Sequence, residues 1–341
     1  MAEVGGPRVG IPRGLGFFEY HVLWQGFFEG LGVEAVASPP TNRDILDRGV
    51  RAAVEEACLP VKVYFGHVME LAPRVDLLFV PRLVRMERRL YTCPKFLGLP
   101  EMVKSCAGRL PPLLCPVFDE NRRGSKAAAA FAQVASRLGV GLARARRAWR
   151  QARARQARYR AVLAQGWPRD QALAAARGGA LPQASLRPKR SPDGRLKVAV
   201  LGHSYLLYDP HLNLGLLARL ERLGVEPITG DVLPEERVLQ AADSLPKRIF
   251  WSFARRTMGG GLYLLERGGV DGIIHLVSFG CGSDALITDL LERFARRRGR
   301  LPFMLLTLDE HSGEAGLQTR LEAFVDMIRR RRAERAAGWA G

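Results

Sequence analysis

The sequence predicts an α/β protein made of two duplicated lobes with parallel sheets, plus a helical insert and a C-terminal helix. Three internal matches carry that prediction. "VGIPRGLGFFEYHVLWQGFFEGLGVEAVASP", from Val9, parallels "VAVLGHSYLLYDPHLNLGLLARLERLGVEPITG", from Val198. "RVDLLFVPRLV" (74–84) resembles "GVDGIIHLVSF" (269–279), and "LPPLLCPVFDE" (110–120) resembles "LPFMLLTLDEH" (301–311). The three pairs occur in the same order in both halves, which generic α/β patterning alone does not require.

Each long match opens with a short apolar strand and a loop containing Gly or Pro. A Tyr beside an acid follows (Glu19 with Tyr20, Tyr208 with Asp209), then a helix, then "LGVE" entering a second strand. Short apolar runs bounded by turn residues suit strands buried in a parallel sheet. Each lobe is therefore expected to hold about four parallel strands with helical crossovers. The expected boundaries are 1–123 for lobe one, 124–195 for a basic helical insert with the linker "RPKRSPDGR", 196–311 for lobe two and 312–341 for a C-terminal helix. Ser312 is the N-cap candidate of that last helix, with Glu314 nearby.

A hydrophobic content of 47% over 341 residues suits a globular chain of about two domains. No apolar run approaches the ~18 residues that span a bilayer. "MAEVGGPRVGIP" lacks the charged-then-apolar layout of a secretory signal, so a cytoplasmic location without membrane association is expected. The net charge of +18 comes mostly from arginine, much of it in "LARARRAWRQARARQARYRAVL" (142–163). There Leu142, Ala145, Trp149, Ala152, Tyr159 and Leu163 recur at helical steps, broken only by Gln156. An apolar stripe with arginines on the remaining faces fits a solvated helix, available to an anionic partner, better than nucleic-acid binding.

Five scattered cysteines with no CxxC pair do not make a disulfide framework or a zinc ribbon. Ligands of open parallel sheets bind at the carboxyl ends of the strands. Cys281 follows the strand "GIIHLVSF", and Cys93 follows the equivalent strand of lobe one after "VRMERRLYT". Cys58 is expected at the end of the helix "NRDILDRGVRAAVEEA", stopped by "LP". Three loops then bring thiols toward one crevice between the lobes. Cys115 aligns with Leu306 inside a strand and reads as a small buried hydrophobe; Cys106, on "PEMVKSCAG", also reads as packing. Lys62 and Lys95 favour thiolate. Gly280 and Gly282 offer open backbone amides beside Cys281, or serve only a βα turn, and a helix starting near Asp284 points its N-terminus there. Three soft thiolates suit an iron–sulfur cubane better than zinc. Zinc with His203 or His311 as a further ligand, and unrelated cysteines, stay open as alternatives.

Asp309, Glu310 and His311 end the last strand of lobe two, where Glu310 and His311 are candidates for proton transfer. Capping and solvation explain the same motif. Arg13, in "GIPRG", stands at the first βα loop as a candidate for an anionic group or a structural ion pair.

The blocks "GIPRGLGFFEY", "SPPTNRDILDRGVRAAVEEACLPVKVYFGHV", "FVPRLVRMERRLYTCPKFLGLPEMV", "LGHSYLLYDPHLN", "SFGCGSDALITDLLER" and "LDEHSGEAGLQTRLEAFVDM" resemble the domain associated with acyl-CoA dehydratase activases. That domain is related to the iron–sulfur subunits of 2-hydroxyacyl-CoA dehydratases and to double-cubane-cluster reductases. The resemblance implies two flavodoxin- or Rossmann-like lobes and a [4Fe-4S] or larger double-cubane-type cluster on Cys58, Cys93 and Cys281. It also implies ATP-gated low-potential electron transfer in anaerobic metabolism, as part of a radical dehydratase or a cluster-dependent reductase. The implied partners are an actin-like ATPase activator with its own iron–sulfur cluster, a related cluster-bearing subunit or second copy, and an acyl-CoA substrate. No GxxxxGK[ST] stretch or actin-type acidic glycine loop is found, so the ATPase is expected on a separate chain. A non-catalytic scaffold or assembly partner that carries the cluster, and a zinc-dependent enzyme, are the competing expectations.

Overall fold

The computed structural model describes residues 6–86, 89–120, 126–180, 195–298 and 301–336. The chain divides into two compact units, Met1–Ala184 with Phe250–Ser252, and Ser185–Ile249 with Phe253–Gly341. The linker "RPKRSPDGR" lies outside the described residues apart from Arg195.

The first unit runs β1 (Val9–Ile11), α1 (Phe17–Leu31), β2 (Ala35–Ala37), α2 (Arg43–Ala52), α3 (Leu59–Leu71), β3 (Leu77–Phe79) and β4 (Arg82–Arg85). It continues through α4 (Pro94–Leu97), α5 (Leu99–Cys106), β5 (Leu113–Leu114), β6 (Val117–Asp119), α6 (Lys126–Arg137), α7 (Leu142–Leu163) and α8 (Arg169–Ala176). The second comprises β7 (Leu196–Gly202), α9 (Ser204–Leu207), α10 (Leu216–Arg222), β8 (Val225–Thr229), α11 (Glu235–Asp243), α12 (Ser252–Arg267), β9 (Gly272–Ser278), α13 (Gly282–Arg298), β10 (Phe303–Leu308) and α14 (Glu314–Ala336).

The main sheet of the first unit has the order β2-β1-β3-β5, and that of the second β8-β7-β9-β10. Every pairing in both is parallel. With β4 and β6 set aside, each unit places its strands second, first, third, fourth, which is the flavodoxin-like order. The repeated topology is what the internal matches predict: a Rossmann-like α/β fold built twice.

β4 and β6 form a separate two-stranded parallel sheet. They continue β3 and β5: Val80 N–H donates to the Leu114 carbonyl at 2.9 Å and Arg82 N–H to the Pro116 carbonyl at 2.9 Å. A parallel ladder would have residue 116 donate back to Val80, but proline has no amide hydrogen. Pro81 and Pro116 therefore divide one strand pair into two.

The basic insert belongs to the first unit, where α7 packs on α1. Ala145, Ala148, Trp149, Ala152, Tyr159, Val162 and Leu163 are buried, whereas Leu142, the first helical residue, is 51% exposed. Gln156 breaks the apolar stripe for a reason. Its Oε1 accepts from Leu23 N–H at 3.0 Å and its Nε2 donates to the Glu19 carbonyl at 2.8 Å. These are a donor and an acceptor four residues apart on α1. The arginines are not all solvated: Arg155 pairs with Glu29, Arg160 lies 3.7 Å from Glu19, and Arg144 donates to the Gly30 carbonyl at 3.2 Å. Gln156→Leu keeps the side-chain bulk and deletes both bonds. It is expected to lower the unfolding free energy by about 1–3 kcal/mol, read as a lower denaturant midpoint at unchanged slope.

Two histidines of this unit are held neutral. Burial first, then the Arg169 charge, lowers His21 to about 4. Burial first, then Arg13 and Arg48, lowers His67 to about 3. Both folded values lie below the unfolded 6.5, so the unfolded chain takes up protons first as pH falls. Stability is thus full above about pH 6.5 and is lost as pH drops toward 4 and then 3. Between pH 7 and 5 each histidine should remove up to about 2 kcal/mol. His67→Gln, which keeps a partner for Thr41, should shrink the loss measured by denaturant titration at the two pH values.

α14 begins at Glu314, not at a serine cap. The Ser312 hydroxyl donates to Asp309 Oδ1 at 2.8 Å and accepts from Asp309 N–H at 2.9 Å, so it closes the turn after β10 instead. No helix among the described residues is long and apolar enough to cross a membrane.

Candidate functional site

Cys58, Cys93 and Cys281 each stand immediately before a helix. Cys58 precedes α3 in extended conformation, its carbonyl accepting from Val61 and Lys62 N–H at 2.9 and 3.2 Å. The dipeptide "LP" therefore starts a helix where it was expected to stop one. α2 already ends at Ala52, and Pro60 sits in the first turn of α3, where a missing amide hydrogen costs no intrahelical bond.

Cys93 precedes Pro94 and the single turn α4, which leads through Gly98 into α5. Its arm is held by pairing of Tyr91 with Trp251: Tyr91 N–H donates to the Phe250 carbonyl at 2.7 Å, and Ser252 N–H to the Tyr91 carbonyl at 2.8 Å. Arg85 binds Asp119 through two nitrogens at 2.5 and 2.7 Å and stacks 4.8 Å from the Tyr91 ring centre. Lys95 Nζ donates to the Glu56 carbonyl at 3.3 Å. That bond joins the Cys93 loop to the Cys58 loop, each two residues from its cysteine. Lys62 is buried within α3.

Cys281 precedes α13, its carbonyl accepting from Ala285 N–H at 3.0 Å. Gly280 has φ 73°, the left-handed region that favours glycine. Gly282 opens the helix with empty space where a Cβ would go, so the turn needs only the first of the two glycines.

The surroundings of Cys281 are the most developed chemical feature of the second unit. β7 and β9 are the neighbouring first and third strands, the pair at which a flavodoxin-like sheet reverses its order and binds ligands. His203 directly follows β7, and Cys281 follows β9 by a short turn. His203, Cys281 and Asp284 bring one nitrogen, one sulfur and one carboxylate oxygen within 4.8 Å of one another. His203 is 3% exposed and Asp284 2%. His203 Nε2 lies 3.1 Å from Asp284 Oδ1, yet neither atom has a properly aligned hydrogen bond. His203 Nδ1 lies 2.5 Å from the Tyr205 hydroxyl, and Ser283 Oγ is 3.5 Å from Cys281 Sγ.

Burial first, then the Asp284 carboxylate, pushes the Cys281 thiol up to about 11. Burial and the neighbouring anion thus outweigh the pull of the helix N-terminus that the sequence suggests. Behind the trio, His275 on β9 is fully buried and lowered to about 4, mainly by burial, with Asp284 opposing and His203 assisting. The loop after β7 is pinned by Asp209, whose Oδ1 accepts from His211 and Leu212 N–H at 3.0 and 3.3 Å. Asn213 donates to the Leu206 and Leu207 carbonyls at 3.2 and 2.7 Å.

The remaining candidates are less organised. Arg13 N–H donates to Ser38 Oγ at 2.8 Å, and its guanidinium lies 5.6 Å from the Phe17 ring centre. Glu310 and His311 follow β10 at the same sheet edge as Cys281; His311 is exposed and its amide donates to Asp309 Oδ1 at 3.0 Å. Cys106 is the last residue of α5. Cys115 lies between β5 and β6 and is half-buried rather than fully enclosed, its thiol pushed up chiefly by burial. Asp284 and His275 were not singled out as ligands from sequence. The available signals were an acid three residues after Cys281 and a lone histidine inside an apolar strand.

The fold defines a duplicated α/β protein whose candidate residues stand at helix starts. Residues 8–233 match the family described as "CoA enzyme activase uncharacterised domain (DUF2229)". The chain belongs to that family. Cys58, Cys93 and His203 fall inside the match, and Cys281 and Asp284 beyond it. No curated protein matches. Among solved structures, the C-terminus of RcsC from E. coli, containing a linker region and phosphoreceiver domain, is 12% identical over 96% of this chain and 95% of its own, with a TM-score of 0.23. A putative phosphosugar isomerase from Silicibacter pomeroyi is 12% identical over 97% and 87%, with a TM-score of 0.19.

Proposed function

We propose that this chain is the cluster-bearing, electron-transferring component of an acyl-CoA-linked activase system, with an iron–sulfur cluster held by the thiolates of Cys58, Cys93 and Cys281. Membership of the activase-related family supports the link to CoA enzymes. One observation carries the choice of ligands: these three cysteines each begin a helix, and neither Cys106 nor Cys115 does. A helix start turns free backbone N–H groups toward the sulfur, which stabilises thiolate charge and tunes a cluster. For Cys58 the helix is 13 residues long, enough for the positive end to be felt, whereas at Cys281 burial and the Asp284 carboxylate work against it.

Soft thiolates are the donors that select iron–sulfur groups. When bound, a cubane supplies one-electron transfer at low potential. The protein's part is to hold it: Lys95 fixes two of the cysteine loops to each other, and Gly280 shapes the third turn. A separate ATPase activator with its own cluster is the proposed electron donor. An acyl-CoA thioester or a related cluster-bearing subunit, in the form of a partner chain or a second copy, is the proposed acceptor. The arginine-rich outer face of α7 offers charge for an acidic partner or for CoA phosphates.

Anaerobic reconstitution with ferrous iron and sulfide tests the proposal. About four irons and as many sulfides per chain are expected, and fewer than about three irons would overturn it.

A further inference from the structure

We propose that His203 Nε2, Cys281 Sγ and Asp284 Oδ1 form a binding site for one divalent transition-metal ion of the zinc or iron(II) class, contained wholly within the second unit. The site uses the same Cys281 sulfur as the cluster proposed above, so the two occupants compete for it, and the site does not depend on that reading.

The first argument is electrostatic. His203 and Asp284 are both nearly inaccessible, and their facing atoms, 3.1 Å apart, both lack an aligned hydrogen bond. His203 Nδ1 lies 2.5 Å from the Tyr205 hydroxyl; in the tautomer whose Nδ1–H donates to that oxygen, Nε2 presents its lone pair to the carboxylate. In that tautomer two buried acceptors face each other, an arrangement that is costly unless a cation joins them. Metal-bound histidines commonly have this form, with the far nitrogen hydrogen-bonded so that tautomer and ring orientation are fixed.

The second argument is geometric. Nitrogen and oxygen ligands at ~2.0–2.2 Å and sulfur at ~2.3 Å from zinc stand roughly 3.3–3.6 Å apart around a tetrahedron. The nitrogen–oxygen pair, 3.1 Å apart, is already within a few tenths of an ångström of that spacing. The sulfur lies no farther than 4.8 Å from either partner and closes the remainder by side-chain rotation. Ser283 Oγ, 3.5 Å from Sγ, can support the bound thiolate.

The third argument is position. The trio stands at the reversal point between β7 and β9, where open α/β sheets bind their ligands. Three protein ligands leave a fourth place for water or a substrate oxygen, the arrangement of catalytic rather than structural zinc. Cys281 is partly exposed and gives access from solvent, while His275, fully buried, lies near enough to interact with Asp284 and His203.

The test uses the full chain, purified anaerobically, stripped with chelator and titrated with Co²⁺ alone, with no sulfide present. One ion per chain is expected, with a thiolate-to-cobalt charge-transfer band that Zn²⁺ displaces. Cys281→Ser should abolish the band. His203→Gln and Asp284→Asn should each weaken binding roughly tenfold or more, whereas Cys58→Ser and Cys93→Ser should leave it unchanged. Melting curves with and without the ion separate misfolding from lost binding. Asp284→Asn removes a buried charge, so it should fold without metal and lose the metal-dependent rise in Tm seen in the unsubstituted chain. No charge-transfer band, or Asp284→Asn binding as tightly as the unsubstituted chain, would leave an ordinary buried His–Asp pair and end the proposal. Equal loss in the Cys58 or Cys93 variants would assign the cobalt to those thiols and also end it. Failure of the cluster reading is recorded separately, by iron and sulfide content.

Discussion

Serine at Cys58, Cys93 or Cys281 should give a folded chain that retains only a minor share of the iron and sulfide taken up by the unsubstituted protein. The fold should survive because all three positions start helices, where serine is a favoured capping residue. Neither the Cys58 nor the Cys93 side chain makes a capping hydrogen bond, so none is lost there. The exchange removes a soft ligand and leaves the helix start at least as well served. Cys106→Ser and Cys115→Ser are the controls, since neither residue begins a helix. Iron and sulfide assays after anaerobic reconstitution, with circular dichroism on the same samples, give the comparison. Full iron in the Cys58 variant, or equal loss in the Cys106 and Cys115 variants, would refute the assignment.

Gly66→Ala should be the most damaging single-methyl change in the first unit. α2 and α3 cross with their backbones almost touching. A Cβ on Gly66 would stand 1.9 Å from the Ile45 carbonyl oxygen, and one on Gly49 would stand 2.0 Å from that of Lys62. The obstacles are backbone atoms, which cannot rotate aside as the end of a side chain can. Overpacking usually costs about 1–3 kcal/mol, and a clash with main chain belongs at or above the top of that range. For a domain of this size a loss of about 3 kcal/mol lowers Tm by roughly 6–12 °C. Because α3 also carries the Cys58 turn at its start, reconstituted iron should fall with stability. A thermal melt of Gly66→Ala showing a change under about 1 kcal/mol would mean that the helices can separate freely.

Much of the topology was readable because the long match contained a strand, its turn and the following helix, and the two short matches kept their strands in the same order. The small β4–β6 sheet was not readable, because the prolines that create it resemble ordinary loop residues until the paired strand is known. Cys58 was placed on the right loop but at the wrong end of a helix. "VEEACLP" has good helix formers before a proline, and proline is compatible with either a stop or a first turn. The glycines at 49 and 66 look like weak helix positions, and only the crossing explains them. Gln156 read as a flaw in a stripe, though its two bonds help anchor α7 to α1. At the candidate site, the loops carrying Cys93 and Cys281 followed from strand ends, while the His203–Asp284 partnership did not. An acid in the first turn of a helix looks like a favourable helix start, and only the neighbouring strand reveals what it faces.

Pro81 and Pro116 have Leu276 and Thr307 as their counterparts in the second half, where β9 and β10 pair without interruption. The missing rung lies between β3 and β4, so thermal opening of the first unit's strand pair should begin at Pro81 and Pro116. Cys281, by contrast, is mounted at the end of a seven-residue strand with a continuous ladder on both sides. Two halves drawn to the same plan therefore differ in their strands: one pair is broken at prolines, and the other runs on unbroken.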